Sequence, residues 1–359
     1  MAKKTVMPSK KIPAISVIVA MYNAERYIAP CLNSLLSQTF QDFEVIVVDD
    51  CSTDNSASVV KTYIEQFDGR LTLLKTKRNS GTPGLPRNLA LKSARGKYIT
   101  FFDSDDLLTE TAFEELFNVA EQTQAEVIHA EKYLELIDGT NQANLRTFQS
   151  PPYVDKPTPE TDDIGDRVER FTKKNFLWWA CNKLFRRDFL TKNKIVFPNM
   201  TSFEDLIVTF CCVIRAKNYV RIPNAFYIYR TRPDSLSHGG RHPFEIATNL
   251  IEAIKVMDQF MGEMEFFHKN PQYRYMAIDY FVQSRVNIIS HNLYVRNQPY
   301  EVDEYLRRRI FNVNPNENIP LIAYLFSNAN VCRLRLEAQQ MEIDRLKKQL
   351  EQYQARKLE

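Results

Sequence analysis

Three aspartates, Asp103, Asp105 and Asp106, close the segment 97–108, KYITFFDSDDLL. Carboxylates this close repel one another, and packing does nothing to compensate them; a cation between them does. Asp103 and Asp105 stand two residues apart, so an extended chain points both the same way. Oxygen-only ligands suit hard ions such as Mg²⁺ or Mn²⁺, which in turn grip phosphate oxygens. The same acids also suit a polar turn before a helix, with Asp106 or Thr109 as the N-cap. Two further acidic pairs recur in comparable settings: Asp49-Asp50 after the apolar run 43–48, and Glu204-Asp205 before the apolar run 206–214. Acids in a first helical turn favour the helix dipole whatever else they do.

The elements that must position these acids alternate regularly. ISVIVA (15–20), FEVIVV (43–48), 71–76 and 98–102 read as strands, the continuous apolar runs marking strands covered on both faces. Helices are expected over 55–67, after the capping residues Ser52, Thr53 and Asp54, and over 87–94, with Pro86 in the first turn and Gly96 as the stop. A helix over 109–122 and strands over 125–136 and 219–230 follow, with a polar, proline-bearing connection at 137–165. Such alternation predicts an α/β fold built on a mostly parallel sheet flanked by helices. Ligands of such sheets sit beyond the carboxyl ends of the strands, where the acids fall.

The chain has 359 residues, 44% hydrophobic and 25% charged, enough for a full core and about two domains. A net charge of +3 is too small an excess to argue for nucleic acid. Six cysteines without a C-x-x-C pair fit reduced thiols in a cytoplasm, Cys211 and Cys212 reading as core. No apolar run reaches the roughly 20 residues of a membrane span. The basic first residues lack the apolar stretch of a secretion signal and leave peripheral contact with an anionic membrane face open. From 244 to 311 the pattern turns helical. Over 331–353, Cys332, Leu336, Ile343, Leu346, Leu350 and Tyr353 recur at heptad-like steps broken at Gln339, which suggests a coiled coil and a homo-oligomer; a helix packed on its own domain and one lying on a membrane are the rival readings. The expected domains are 1–240, a helical 241–328 and a terminal helix 329–359.

Taken together, SVIVAMYN, VIVVDDCSTDNS, GLPRNLALKSARGKYITFFDSDD and FED resemble the family 2 glycosyltransferases of GT-A fold, over about 15–230. The resemblance implies a Rossmann-like domain, a nucleotide-sugar donor (by resemblance UDP-linked) and a divalent cation. It implies that Asp50, with Asp49, accepts from the base, that Ala20, Tyr22 and Glu25 line the nucleotide pocket, and that Arg87 and Arg230 stand near the phosphates. Asp103 and Asp105 would hold the metal, with Ser104 between them against the donor and His238 a further ligand. Asp205 would be the base of an inverting transfer beside Glu204, and Trp178, Trp179, Asn182 and Lys183 would lie on the acceptor side. The acceptor would be a glycan or lipid-linked hydroxyl at the inner membrane face.

Two positions depart from the family pattern: Cys51 stands where a small residue such as Gly is usual, and Pro86 where Ala is frequent. The Q-x-x-R-W signature of processive synthases is absent, so one sugar per encounter is expected. The rival readings are a non-catalytic oligomeric scaffold of the same fold, and a phosphatase with D-x-D at a strand end. The latter wants Gly-Thr after the second Asp, where Asp106-Leu107 stand.

Overall fold

The computed structural model describes residues 12–137, 139, 143–147, 154–173, 177–231 and 243–282. Twelve strands are described: β1 (Ile15–Met21), β2 (Phe43–Asp49), β3 (Leu71–Lys75), β4 (Tyr98–Asp103), β5 (Leu107–Leu108), β6 (Val127–Ala130), β7 (Lys132–Ile137), β8 (Ala143–Thr147), β9 (Thr158–Pro159), β10 (Lys183–Arg186), β11 (Tyr219–Ile222) and β12 (Tyr227–Thr231). The helices are α1 (Ile28–Leu36), α2 (Ser56–Tyr63), α3 (Gly84–Ser93), α4 (Ala112–Thr123), α5 (Ile164–Thr172), α6 (Arg187–Lys192) and α7 (Glu204–Arg215), followed by Pro243–Gly262 and Glu265–Lys269.

Eight strands form the central sheet in the order β3-β2-β1-β4-β10-β6-β11-β9. The first four run parallel; β10 is antiparallel to both its neighbours, β6 and β11 are parallel, and β9 closes the edge antiparallel. In β1, Ile15, Val17, Ile18 and Val19 are wholly buried, as a strand covered on both faces requires. Strand order steps outward from β1 to β3, then resumes on the other side of β1 with β4. The switch point is therefore the β1–β4 crevice. Register levels the strand ends there: Ala20 pairs with Val48 and Asp103, and Met21 with Asp49.

Two expected strands are each divided between sheets. The run 125–136 becomes β6 in the central sheet and β7 in a second sheet, β5-β12-β7-β8, with the break at Glu131. The run 219–230 likewise becomes β11 and β12, separated by a bend that includes Pro223, which has no N–H for a ladder. Glu131 is buried because Arg221, on β11, pairs with it; Arg221 also meets Glu160, which Arg170 of α5 contacts at 2.6 Å. The described residues of the connection 137–165 include β8, β9 and the start of α5, which its polarity did not announce. Gly96 is not the helix stop. A Cβ there would lie 2.5 Å from the Ser16 nitrogen, so the residue serves close approach to β1.

Helix α7 buries ten of its twelve residues, Cys211 and Cys212 among them, and behaves as a core helix apolar nearly all round. Phe210 meets Phe171 of α5 at 5.1 Å and Phe260 of the following helix at 6.2 Å. The described residues up to 231 and those from 252 to 278 make up one compact unit; 243–251 and 279–282 belong to a second. The terminal helix expected at 329–359 lies outside the described residues. Among the described residues no helix is long and apolar enough to cross a membrane, and no disulfide forms.

Candidate active site

The turns that follow β1 and β2 are knitted to each other. Asn23, in the left-handed region at φ 47°, accepts from the Thr53 N–H at 2.8 Å and donates its own N–H to Ser52. Glu25, expected in the nucleotide pocket, spends both carboxylate oxygens on Asn55, while Asp54 accepts from the Glu25 N–H. These contacts join the two turns just before α2. Ala20 and Tyr22 flank this knot, and the Tyr22 ring is 49% exposed, able to stack on a flat ligand. Cys51 adopts φ 61°, the region open to glycine without strain, and its thiol reaches the Thr76 carbonyl at 3.2 Å. That backbone conformation suits the glycine usual at this position; the cysteine holds it at a cost in strain.

Asp50 is buried and holds Thr76 with one oxygen and the Ser80 N–H and hydroxyl with the other. Asp49 accepts from the Ser52 N–H at 2.8 Å; among the described residues its Oδ2 has no hydrogen-bond partner, although Lys75 stands 3.8 Å away. Thr76 and Ser80 went unrecognised in the sequence, Thr76 as the last residue of the expected strand 71–76 and Ser80 in the connection that follows it. The hydroxyls of such loops are ordinary turn chemistry until a buried acid is found facing them.

Strand β4 ends at Asp103, and a turn closes immediately, the Asp106 N–H donating to the Asp103 carbonyl. The premise of an extended D-x-D is therefore replaced by a turn that carries Asp103, Ser104 and Asp105 on its surface. Asp106 instead points inward: it accepts from the Tyr227 hydroxyl and from the Arg230 N–H at 2.7 Å. It caps no helix; the N-cap of α4 is Thr111, whose side chain makes no cap bond, and Thr109 likewise stands outside that role. Burial, then Asp105 and Asp103, push the Asp106 pKa well above the carboxylate range. The thiols of Cys31 and Cys181 are likewise raised, by burial first, and so stay protonated and inert.

Arg87 connects this turn to α7. Its guanidinium donates to Asp103 Oδ1 at 2.7 Å and to Asp205 Oδ1 at 2.6 Å, with Glu204 Oε1 at 3.6 Å. Helix α3 is placed for this by Gly84, where a Cβ would lie 3.0 Å from both Phe197 Cβ and the Pro198 carbonyl, and by two hydrogen bonds between Asn88 and the Phe197 backbone. The Phe197 ring lies under the guanidinium, 5.0 Å away. Burial works against the Arg87 charge, but Asp205, Asp103 and Glu204 more than offset it and raise its pKa. Arg87, expected near the phosphates, bridges carboxylates of the β4 turn and α7. Asp103 keeps a side chain 36% exposed, its second oxygen available outside the bridge.

Asp205 holds Arg87 with Oδ1 and the Ala180 N–H with Oδ2 at 3.1 Å. Burial lifts its pKa above the usual range; Arg87 pulls it down and Asp103 pushes it up. Burial, then the neighbouring Asp205, raise Glu204 to about 7. The turn into α7 is strained, for Phe203 sits at φ 71° with a bulky side chain. Trp179 packs against Tyr133 at 5.0 Å and Tyr229 at 5.2 Å, while the Trp178 carbonyl accepts from Thr209. The two tyrosines were not foreseen. Asn182 and Lys183 are wholly buried, so neither can touch an acceptor, and their assignment to the acceptor surface does not hold. Arg230 packs over Tyr27 at 5.6 Å and donates to the Asp105 carbonyl at 3.0 Å. His238 lies outside the described residues.

The profile of the family described as Glycosyl transferase family 2 matches residues 16–193. The chain is 30% identical over 227 residues to a Bacillus subtilis (strain 168) protein named uncharacterized glycosyltransferase EpsJ, covering 63% of each. It is 30% identical over 292 residues to the poly(ribitol-phosphate) beta-N-acetylglucosaminyltransferase TarS of Staphylococcus aureus (strain MW2), covering 79% of this chain and 47% of TarS. The matched stretch thus spans less than two thirds of either relative's length. The crystal structure of S. aureus TarS 1-349 in complex with UDP aligns at TM-score 0.62 and 25% identity, covering 82% of this chain and 78% of that one. The levelled strand ends, the Asp103–Ser104–Asp105 turn and the Glu204-Asp205 helix start thus lie in a chain that belongs to glycosyl transferase family 2 and has the GT-A fold.

Proposed function

We propose that the chain transfers one sugar from a UDP-linked donor to a hydroxyl of a glycan or lipid-linked acceptor, with inversion. The observation that carries this reading is the Arg87 bridge, which brings the diphosphate-side acid Asp103 and the base Asp205 together across 102 residues of sequence. Asp205 takes the acceptor proton as the oxygen attacks the anomeric carbon; the new C–O bond forms opposite the breaking bond to the diphosphate. Its raised pKa brings it closer to the range in which a carboxylate serves as a general base. One carboxylate is sufficient because the departing diphosphate leaves as an anion and requires no proton. Family membership, and the UDP and UDP-GlcNAc complexes of TarS, support a UDP-sugar. The family leaves the phosphatase reading without support, and the presence of Asp103, Asp105 and Asp205 counts against a scaffold.

Asp103 and Asp105 fit a divalent cation, Mn²⁺ or Mg²⁺. They are oxygen ligands on one turn, and their charge adds to burial in raising Asp106 and Cys31. Among the described residues no group of three or more His, Cys, Asp or Glu side chains surrounds a point, which suits an ion taking one or two carboxylates and completing its shell from phosphates and water. When bound it would neutralise charge on the leaving diphosphate. His238 remains the proposed further ligand. Tyr22 and Asp50 belong to the nucleoside side, and the Trp179–Tyr133–Tyr229 cluster to the acceptor side. Reduced thiols support a cytoplasmic setting, with the acceptor met at the inner membrane face.

The test is release of UDP from UDP-glucose and UDP-GlcNAc, with and without EDTA. Release that EDTA abolishes and Mn²⁺ or Mg²⁺ restores, and that Asp205→Asn removes, is the expected result. Unaltered release in Asp205→Asn, or phosphate release from simple phosphoesters instead, overturns the proposal.

A further inference from the structure

Lys183 is wholly buried on β10, and among the described residues no carboxylate stands within ion-pair distance of its ammonium. Its three N–H donors are instead matched by three oxygens: the carbonyls of Leu177 at 2.6 Å and Trp179 at 2.5 Å, and Asn182 Oδ1 at 2.9 Å. All three acceptors belong to the segment 177–182. Asn182 is anchored separately, donating to the Ala130 carbonyl at 2.6 Å. A second tether arrives from α7, where the Thr209 hydroxyl donates to the Trp178 carbonyl at 2.7 Å. Between these tethers the Ala180 N–H projects onto Asp205 Oδ2 at 3.1 Å. Thr209 stands one helical turn beyond Asp205, so α7 holds both the base and one tether of the loop that contacts it.

An ammonium in such a place is costly. Burial pulls the Lys183 pKa down to about 7, with Cys181, Asp205 and Cys212 only partly offsetting it. An apolar side chain would serve the strand better. What the lysine supplies, and an apolar residue cannot, is convergence of backbone carbonyls at one point. We infer that Lys183 is a positioning residue for the proposed transfer: by gathering residues 177, 179 and 182, it fixes the Ala180 N–H on Asp205. With Arg87 on one oxygen and Ala180 on the other, the carboxylate cannot rotate, and each oxygen retains one lone-pair direction for the acceptor proton. The inference rests on the reading of Asp205 as the base.

The test compares Lys183→Met, Thr209→Val and Asp205→Asn in the full chain. The readouts are the ¹H–¹⁵N resonance of Ala180, UDP release from UDP-glucose or UDP-GlcNAc, and donor affinity by calorimetry. An amide bonded to a carboxylate resonates downfield; the Ala180 proton is expected to move upfield in Lys183→Met and, by less, in Thr209→Val. The turnover number is expected to fall roughly ten- to a hundredfold in Lys183→Met, as for loss of one hydrogen bond to a charged group, while donor affinity is unchanged. An Ala180 resonance unmoved in Lys183→Met, or affinity and turnover falling together, overturns the inference and leaves a purely structural lysine. Should Lys183→Met fail to fold, Thr209→Val decides by the same readouts. Turnover retained in Asp205→Asn refutes the base assignment itself; turnover lost there but intact in the other two variants refutes only the positioning role.

Discussion

Arg87 sets one positive charge against Asp103, Asp205 and Glu204, and the planar fork lets it donate to two of them at once. A lysine carries the charge but not the fork. Arg87→Lys is expected to keep the fold while lowering the rate of UDP release by roughly two orders of magnitude, since Asp205 and Asp103 would no longer be held together. Arg87→Met leaves buried carboxylates unpaired and should cost about 3–5 kcal/mol in urea unfolding. Glu204 gives a pH signature. Its folded pKa near 7 exceeds the ordinary value of 4.5, so the folded state holds more protons between these limits and stability falls as pH rises through that window. The drop is of order 3 kcal/mol, and Glu204→Gln should flatten the profile between pH 5 and 7. An unchanged slope in the variant would refute the assignment. Asp103, Asp105 and Asp205 were visible in the sequence as acids at element ends. The Arg87 bridge was not, because nothing in a linear pattern shows that residues 87, 103 and 205 meet.

At the scale of elements, the acid turn depends on β12. Asp106 accepts from Tyr227 and from the Arg230 backbone, and so pins the second sheet to the turn that carries Asp103 and Asp105. Because burial favours the neutral carboxyl, Asn is a fair replacement: its carbonyl can still accept from Arg230. Asp106→Asn should therefore lie within about 1 kcal/mol of the parent, whereas Asp106→Ala strands the Tyr227 hydroxyl and loosens β12. Hydrogen exchange at residues 227–231 distinguishes them, with faster exchange in Asp106→Ala alone as the expected outcome. The parallel strands were legible because each is a closed apolar run ending in acids. The divisions at Glu131 and Pro223 were harder to read. Glu131 interrupts a strand pattern only once its partner Arg221, 90 residues on, is known to be buried with it. Lys183 failed for a related reason: a charged residue beside Asn182 and two tryptophans reads as a ligand-binding surface, and only burial shows that its ammonium faces the backbone.

At the scale of the whole molecule, we propose that the site and self-association are carried by different parts of the chain. Every residue named in the site apart from His238 lies within the described part of the unit that ends its first stretch at 240, while the heptad-spaced Cys332, Leu336, Ile343, Leu346, Leu350 and Tyr353 occupy the last 28 residues. A seam of about three heptads is marginal for an isolated helix and gains its stability from a partner copy. Charged residues and Gln hold most of the intervening positions, with Leu334, Ala338 and Met341 among them, a pattern that suits the flanks of such a seam. A chain ending at residue 328 should then be monomeric by light scattering where the full chain is not, with UDP-sugar affinity unchanged. Substituting Leu346 and Leu350 by Asp should have the same effect without shortening the chain, because a buried charge on each helix opposes association. Equal masses for the full and shortened chains would remove the oligomer proposal. A loss of donor binding on shortening would show instead that the terminal segment contributes to the site.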